Sequence, residues 1–104
     1  MTAPTQPVLD RLDKDFDGAL ERLFRFLEIP SISTDPAHAA DCVSAAQWLA
    51  ADLQGIGFDA QVCATEGHPM VMGYLAAANP SAPHILFYGH YDVQPPDPLE
   101  LWTT

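Results

Sequence analysis

Two glycines, Gly55 and Gly57, divide the chain into halves with different apolar patterns. Before them, apolar residues recur every three or four positions; after them, they alternate or run together. The first pattern belongs to helices, whose side chains return to one face every 3.6 residues, and the second to strands, whose side chains alternate between faces. A chain patterned this way buries both apolar surfaces by laying helices on a sheet, so the expected fold class is α/β, with two helices packed on a partial sheet.

The first helix is carried by Leu9, Leu12, Phe16, Leu20, Leu23 and Leu27, running on from Val8. Pro30 ends it, because proline disfavours helical geometry at the residue before it. Phe24 and Phe26 widen the apolar stripe, which predicts packing into a core. Asp10 with Lys14 and Glu21 with Arg25 are four-apart pairs worth a few tenths of a kcal/mol each. Residues 1–6 read as a frayed terminus. After a loop over 31–36, Asp35 and Pro36 fit an N-cap and first helical position. The second helix places Val43, Ala46, Ala50 and Leu53 on one side, with Leu49 flanking. Its alanines predict close approach to a sheet, and the two glycines stop it.

Beyond them, Phe58, Ala60, Val62 and Ala64 alternate with polar residues as in a half-buried strand. Residues 66–69 form a turn, 70–77 a second strand, and 79–83 a proline-containing loop. Ile85-Leu86-Phe87-Tyr88 is a continuous apolar run, the pattern of a third strand over 84–88 covered on both faces. Residues 94–98, with three prolines, read as irregular, and residues 99–104 carry no stop signal.

The 104 residues carry a net charge of −10, and every basic residue (Arg11, Lys14, Arg22, Arg25) lies in the first quarter. Phosphate backbones and anionic membranes call for clustered positive charge, so no nucleic acid and no membrane is expected as a partner. Residues 1–10 lack a basic and apolar leader, and no apolar run approaches a membrane span. Cys42 and Cys63 are far apart with no metal or redox spacing, so a cytoplasmic chain with free, core-packed thiols is expected.

The chemistry concentrates in Gly89-His90-Tyr91-Asp92-Val93, directly after the apolar run. Residues two apart on extended backbone point to the same side, so an imidazole and a carboxylate converge just past the strand, where ligands collect in α/β sheets. Gly89 permits a tight turn or close approach there. A zinc-ligating histidine commonly donates its second ring N–H to a carboxylate, which fixes the tautomer. His90 is then the metal ligand and Asp92 its orienting carboxylate. Spacing alone is common by chance and by itself favours a surface His and Asp in a loop.

The wider string is more specific. Gly-His-Tyr-Asp-Val-Gln-Pro after an apolar strand, followed by Asp-Pro-Leu-Glu-Leu-Trp, resembles the dinuclear zinc metallopeptidase family of aminoacylase, carnosinase and other dipeptidases, acetylornithine deacetylase and succinyl-diaminopimelate desuccinylase (clan MH), and most nearly its dipeptidase-like branch. The resemblance extends over Leu27-Glu28-Ile29-Pro30-Ser31-Ile32-Ser33, over Trp48-Leu49 through Gly57-Phe58, and over Gly67-His68-Pro69-Met70-Val71, the last like the family's hairpin before its metal strand. It implies that His90 ligates one of two zinc ions and that Asp92 is the catalytic carboxylate orienting it. The family's bridging Asp, adjacent Glu pair, further acidic ligand and distant His have no counterpart in these residues. The resemblance therefore implies that residues 1–104 are the N-terminal part of a catalytic domain, without the family's lid and dimerisation domain and inactive alone. In the full-length protein it implies small peptides or N-acyl amino acids as substrates and often a homodimer.

Other histidines and acids read as structural. His38 is expected to be solvated, His68 to make a local hydrogen bond in its turn, His84 to be edge-exposed, and Asp97 and Glu100 to sit in a solvated loop. Trp102 is expected to pack rather than bind. No nucleophile elbow or phosphate-binding loop is present. An alternative from another class is a non-catalytic truncated α/β module that self-associates through its unfinished sheet.

Overall fold

The computed structural model describes residues 4–103. It is α/β, with helices α1 (Gln6–Lys14), α2 (Phe16–Leu27) and α3 (Ala39–Gly55) followed by an antiparallel hairpin of β1 (Asp59–Cys63) and β2 (Met70–Tyr74). None of the described helices is long and apolar enough to cross a membrane.

The expected first helix is divided at Asp15, where the backbone opens to φ −96° and ψ 8°. Asp15 and Gly18 favour helix weakly, which explains a break within Lys14-Asp15-Phe16-Asp17-Gly18. Helical hydrogen bonds still cross it, from the Asp15 N–H to the Arg11 carbonyl and from the Ala19 N–H to the Asp15 carbonyl. Glu21 pairs with Arg25 as expected. Asp10 instead accepts from Gln6, and Arg11 pairs with Asp15.

No residue of α1 or α2 is buried. The expectation that this stripe packs into a core is met only at one edge, where the Phe26 ring stacks on Trp48 with centroids 4.9 Å apart and Arg22 approaches Asp52. Val8, Leu12, Phe16, Leu23 and Leu27 stay exposed.

Asp35 accepts from the Ala37 N–H at 2.9 Å and Pro36 opens a single 3-10 turn, so the predicted start of α3 holds. At its end Gly57 takes φ +101°, a conformation that glycine adopts without a side-chain clash. The buried face of α3 is Cys42, Ala45, Ala46 and Ala50, rotated from the predicted one, and Val43 is exposed. These small residues let α3 lie against both strands. Gly73 of β2 shows the same closeness: a Cβ there would stand 3.3 Å from Leu53 and 3.4 Å from Phe58. Gln54 ties helix to sheet by donating to the Ala60 carbonyl at 2.7 Å.

The core is Ile32, Cys42, Ala45, Ala46, Ala50 and Ala60, while most large apolar side chains lie outside it. Burial pushes the Cys42 thiol above its ordinary range, with the Asp92 and Asp41 carboxylates adding to the effect. Cys63 is only partly covered. Alkylation requires an accessible thiolate, and a raised pKa reduces the thiolate fraction at neutral pH. Brief iodoacetamide treatment of the native chain, followed by peptide mass spectrometry, should find Cys63 modified about tenfold or more faster than Cys42. Equal rates would show that the packed face of α3 opens.

Residues 84–88 form no strand. Leu86, Phe87 and Tyr88 are 93%, 88% and 94% exposed, which overturns the expectation of a strand covered on both faces. A strand exists through hydrogen bonds to a neighbour, and among the described residues the sheet contains β1 and β2 alone. The radius of gyration, 17.2 Å, exceeds the roughly 13 Å of a compact chain of this length. The accessible area of 8901 Å² likewise exceeds the roughly 5,700 Å² of a compact monomer of this mass.

Candidate metal centre

The segment that follows α2 builds the scaffold of the site. Ser31-Ile32-Ser33 alternates polar, apolar and polar, and Ile32 is buried and bridges Val93 in parallel register. The Val93 N–H donates to the Ser31 carbonyl at 3.0 Å, and the buried Ser31 hydroxyl donates to the Tyr91 carbonyl at 2.7 Å. These bonds fix the backbone on both sides of Asp92. From the other flank, the Tyr91 hydroxyl donates to the Pro69 carbonyl at 2.6 Å, in the turn between β1 and β2. Tyr91 is thereby part-buried, and burial raises its phenol above the ordinary range.

His90 and Asp92 converge as their spacing predicts. His90 Nδ1 lies 2.7 Å from Asp92 Oδ1 and 3.2 Å from the Asp92 carbonyl oxygen. The Ser33 hydroxyl donates to Asp92 Oδ2 at 2.7 Å, and the His90 ring adds a second hydrogen bond. The Ser33 hydrogen bond, the largest influence, draws the Asp92 carboxyl below its usual range; burial opposes it, and the hydrogen bond and charge of His90 add to the lowering. At neutral pH Asp92 is therefore ionised and can only accept. Both oxygens facing Nδ1 are acceptors, so Nδ1 carries the proton, and the neutral tautomer these contacts select is the one with its lone pair on Nε2. The His90 side chain is 76% exposed, and Nε2 has no hydrogen-bond partner among the described residues.

His90 lines an open groove of about 930 Å³ between β2 and residues 86–92, with Phe26, Leu49 and Leu53 also on its wall. The groove is mainly apolar, with polar groups gathered around Ser33, His68, His90 and Asp92. Gly89 does not serve a close approach, since open space surrounds the position of a Cβ there.

His68 Nε2 lies 2.8 Å from the Ser33 carbonyl oxygen, so its hydrogen bond is to a residue distant in sequence rather than a local one. His38, expected to be solvated, is partly covered and hydrogen-bonds Asp41 at 2.8 Å. His84 is exposed and its ring is tilted against Tyr74. Asp97 and Glu100 are exposed as expected, and Trp102 is 62% exposed. No group of three or more His, Cys, Asp or Glu residues that could hold a metal ion occurs among the described residues. What the described residues bring together is one exposed imidazole and one carboxylate hydrogen-bonded to it. Sequence reasoning missed Ser31, Ser33 and the Ser33 contact of His68; the two-residue alternation after Pro30 was the available signal.

No family model matches the chain, and no solved structure matches it. Among characterised proteins it is similar to the Cys-Gly metallodipeptidase DUG1 of Candida albicans, with 30% identity over 114 aligned positions that take in 97% of this chain. The chain spans 23% of the length of that relative. This similarity supports a relationship with metallopeptidases.

Proposed function

We propose, from that relationship, that the chain is the N-terminal part of a zinc-dependent peptidase or amidohydrolase cleaving dipeptides or N-acyl amino acids, with His90 as a metal ligand and Asp92 as its orienting carboxylate. The observation that carries the reading is the His90 Nδ1 to Asp92 Oδ1 hydrogen bond, which leaves Nε2 as a free donor for a cation. Two zinc ions in such a site supply the acidity that activates water and the polarisation of the scissile carbonyl. The chain's own contribution is orientation: Asp92 holds the imidazole in one tautomer beside an open, mainly apolar groove with room for a small substrate. The dipeptidase-like branch, the zinc identity, a cytoplasmic location and a homodimeric full-length protein belong to the same proposal.

The test joins activity with metal content. A polypeptide that carries this chain together with the sequence following Thr104 should hydrolyse dipeptides, lose activity on chelation and regain it with zinc. His90→Ala should bring it to background. Chelator-insensitive hydrolysis, or activity indifferent to His90→Ala, would overturn the proposal. The 104-residue chain, loaded with zinc and dialysed, should retain well under one ion per chain, because catalytic zinc takes about three protein ligands and no such group is present among the described residues. Stoichiometric retention would show that other residues coordinate.

One observation favours a second reading, a non-catalytic module that pairs with a second copy of itself. Residues 85–88 are apolar, uncharged and exposed. The accessible area exceeds that of a compact monomer by roughly 3,000 Å². A stable interface takes about 800 Å² from each partner, so there is ample surface for one.

A further inference from the structure

We propose that Ser33, itself held by His68, is a positioning residue that sets the tautomer and direction of His90 through Asp92; the inference rests on reading His90 as a metal ligand. His90 is mostly exposed, so packing does little to hold its ring. Its orientation depends on what it hydrogen-bonds, and the shorter of its two contacts is to Asp92 Oδ1 at 2.7 Å, the other being to the Asp92 carbonyl oxygen at 3.2 Å. A carboxylate turns readily about its last bond, since that torsion is broad and two-fold. Asp92 needs a second hold if it is to keep one oxygen on the imidazole.

Ser33 supplies that hold. Its hydroxyl faces an ionised carboxylate, which can only accept, so the hydroxyl donates to Oδ2 at 2.7 Å and leaves Oδ1 to His90. The backbone of Ser33 is fixed in turn. His68 Nε2 stands 2.8 Å from its carbonyl oxygen, and a carbonyl can only accept, so Nε2 carries the proton. The order His68, Ser33, Asp92, His90 is thus a chain of hydrogen bonds in which each donor is determined by its acceptor. It joins three segments: the turn after β1, the loop after α2, and the stretch bearing His90. Tyr91, between the two site residues, is anchored to Pro69 beside His68, so the same turn grips the motif from both flanks. Ser31, by contrast, fixes only backbone, at the Tyr91 carbonyl and the Val93 N–H. Ser33 alone of the two reaches the Asp92 carboxylate.

The experiment uses the metal-free chain, with the ring nitrogens of His90 followed by 15N NMR about two pH units above the ordinary histidine value, where imidazoles are neutral. Wild type should show the Nδ1–H tautomer in large excess. In Ser33→Ala the ratio of Nδ1–H to Nε2–H should fall about fivefold to tenfold, a part of the effect of one charge-assisted hydrogen bond, because Ser33 reaches the ring only through Asp92. Ser33→Thr, which keeps the hydroxyl, should restore it. A backbone amide spectrum that stays native in Ser33→Ala separates positioning from unfolding. Should that variant lose the native spectrum, Ser33→Cys, near-isosteric with a weak donor, must show the same fall. If Asp92→Ala shifts the ratio and the Ser33 variants do not, Ser33 is not a positioning residue and the reading of Asp92 stands. If Asp92→Ala itself leaves the ratio unchanged, the orienting role of Asp92 fails, and the role of Ser33 with it.

Discussion

Lysine at both Leu86 and Tyr88 is expected to weaken self-association of the 104-residue chain by about a hundredfold or more, read by sedimentation equilibrium. Burying a large apolar side chain is worth about 1.5–3 kcal/mol, and two such losses exceed the 2.7 kcal/mol that separates a hundredfold in affinity. The ammonium groups add a desolvation cost wherever the run meets another copy. Wild type should associate more strongly as salt rises. Each chain carries a net charge of −10, and screening removes the mutual repulsion while leaving apolar burial in place. Lysines at Val8 and Leu12 serve as the comparison, because they load the exposed stripe of α1 with the same charge. An equal loss there would move the interface to the helices. A wild-type chain that is monomeric at every concentration and salt would remove the self-associating module from consideration.

On the proposal that His90 ligates zinc, Asp92→Ala should weaken zinc binding by about ten- to a hundredfold, the usual cost of removing the carboxylate behind a ligating imidazole. Titrating the chain with zinc while following the His90 ring protons checks this, and the weak affinity expected of a single histidine keeps the transition within measurable range. Two effects act in the same direction. Loss of the carboxylate leaves the Nδ1 proton only the longer contact to the carbonyl oxygen of residue 92, so part of the population presents Nε2–H rather than a lone pair. It also removes a negative charge hydrogen-bonded to the ring at 2.7 Å, which attracts a cation held on Nε2. Asp92→Asn should lie between, since its amide oxygen still accepts from Nδ1 but carries no charge. Unchanged zinc binding in Asp92→Ala would mean that His90 is oriented by something else.

The sequence made some parts of this arrangement visible and hid others for physical reasons. The change of apolar period located the helices and the hairpin, because periodicity is a property of the element itself. Asp35-Pro36 and Gly57 were legible in the same way, being local backbone chemistry. The proximity of His90 to Asp92 followed from alternation on near-extended backbone. What was not legible depends on partners. The apolar face of α3 was expected at Val43, yet the close approach of the hairpin selects Cys42 and Ala45, whose small size is what permits it. The run at residues 85–88 has strand composition, but composition supplies no neighbour to bond with. Ser33 lies 59 positions from Asp92, and serine is too common a residue for its type to reveal that contact.

The parallel bridge between Ile32 and Val93 has a consequence for how the chain acquires its site. Helices and a tight hairpin assemble from neighbours in microseconds or less, whereas contacts of large sequence separation must first meet the entropy of closing a long loop. The Ser31, Ser33 and Tyr91 bonds all span that closure or depend on it. During synthesis the Asp92 carboxylate therefore gains its Ser33 hydrogen bond only after Val93 has left the ribosome and found Ile32, well after α1, α2 and α3 have had time to form. Completion of this hydrogen-bonded arrangement is thus a late event in folding, set by the long loop that must close between Ile32 and Val93.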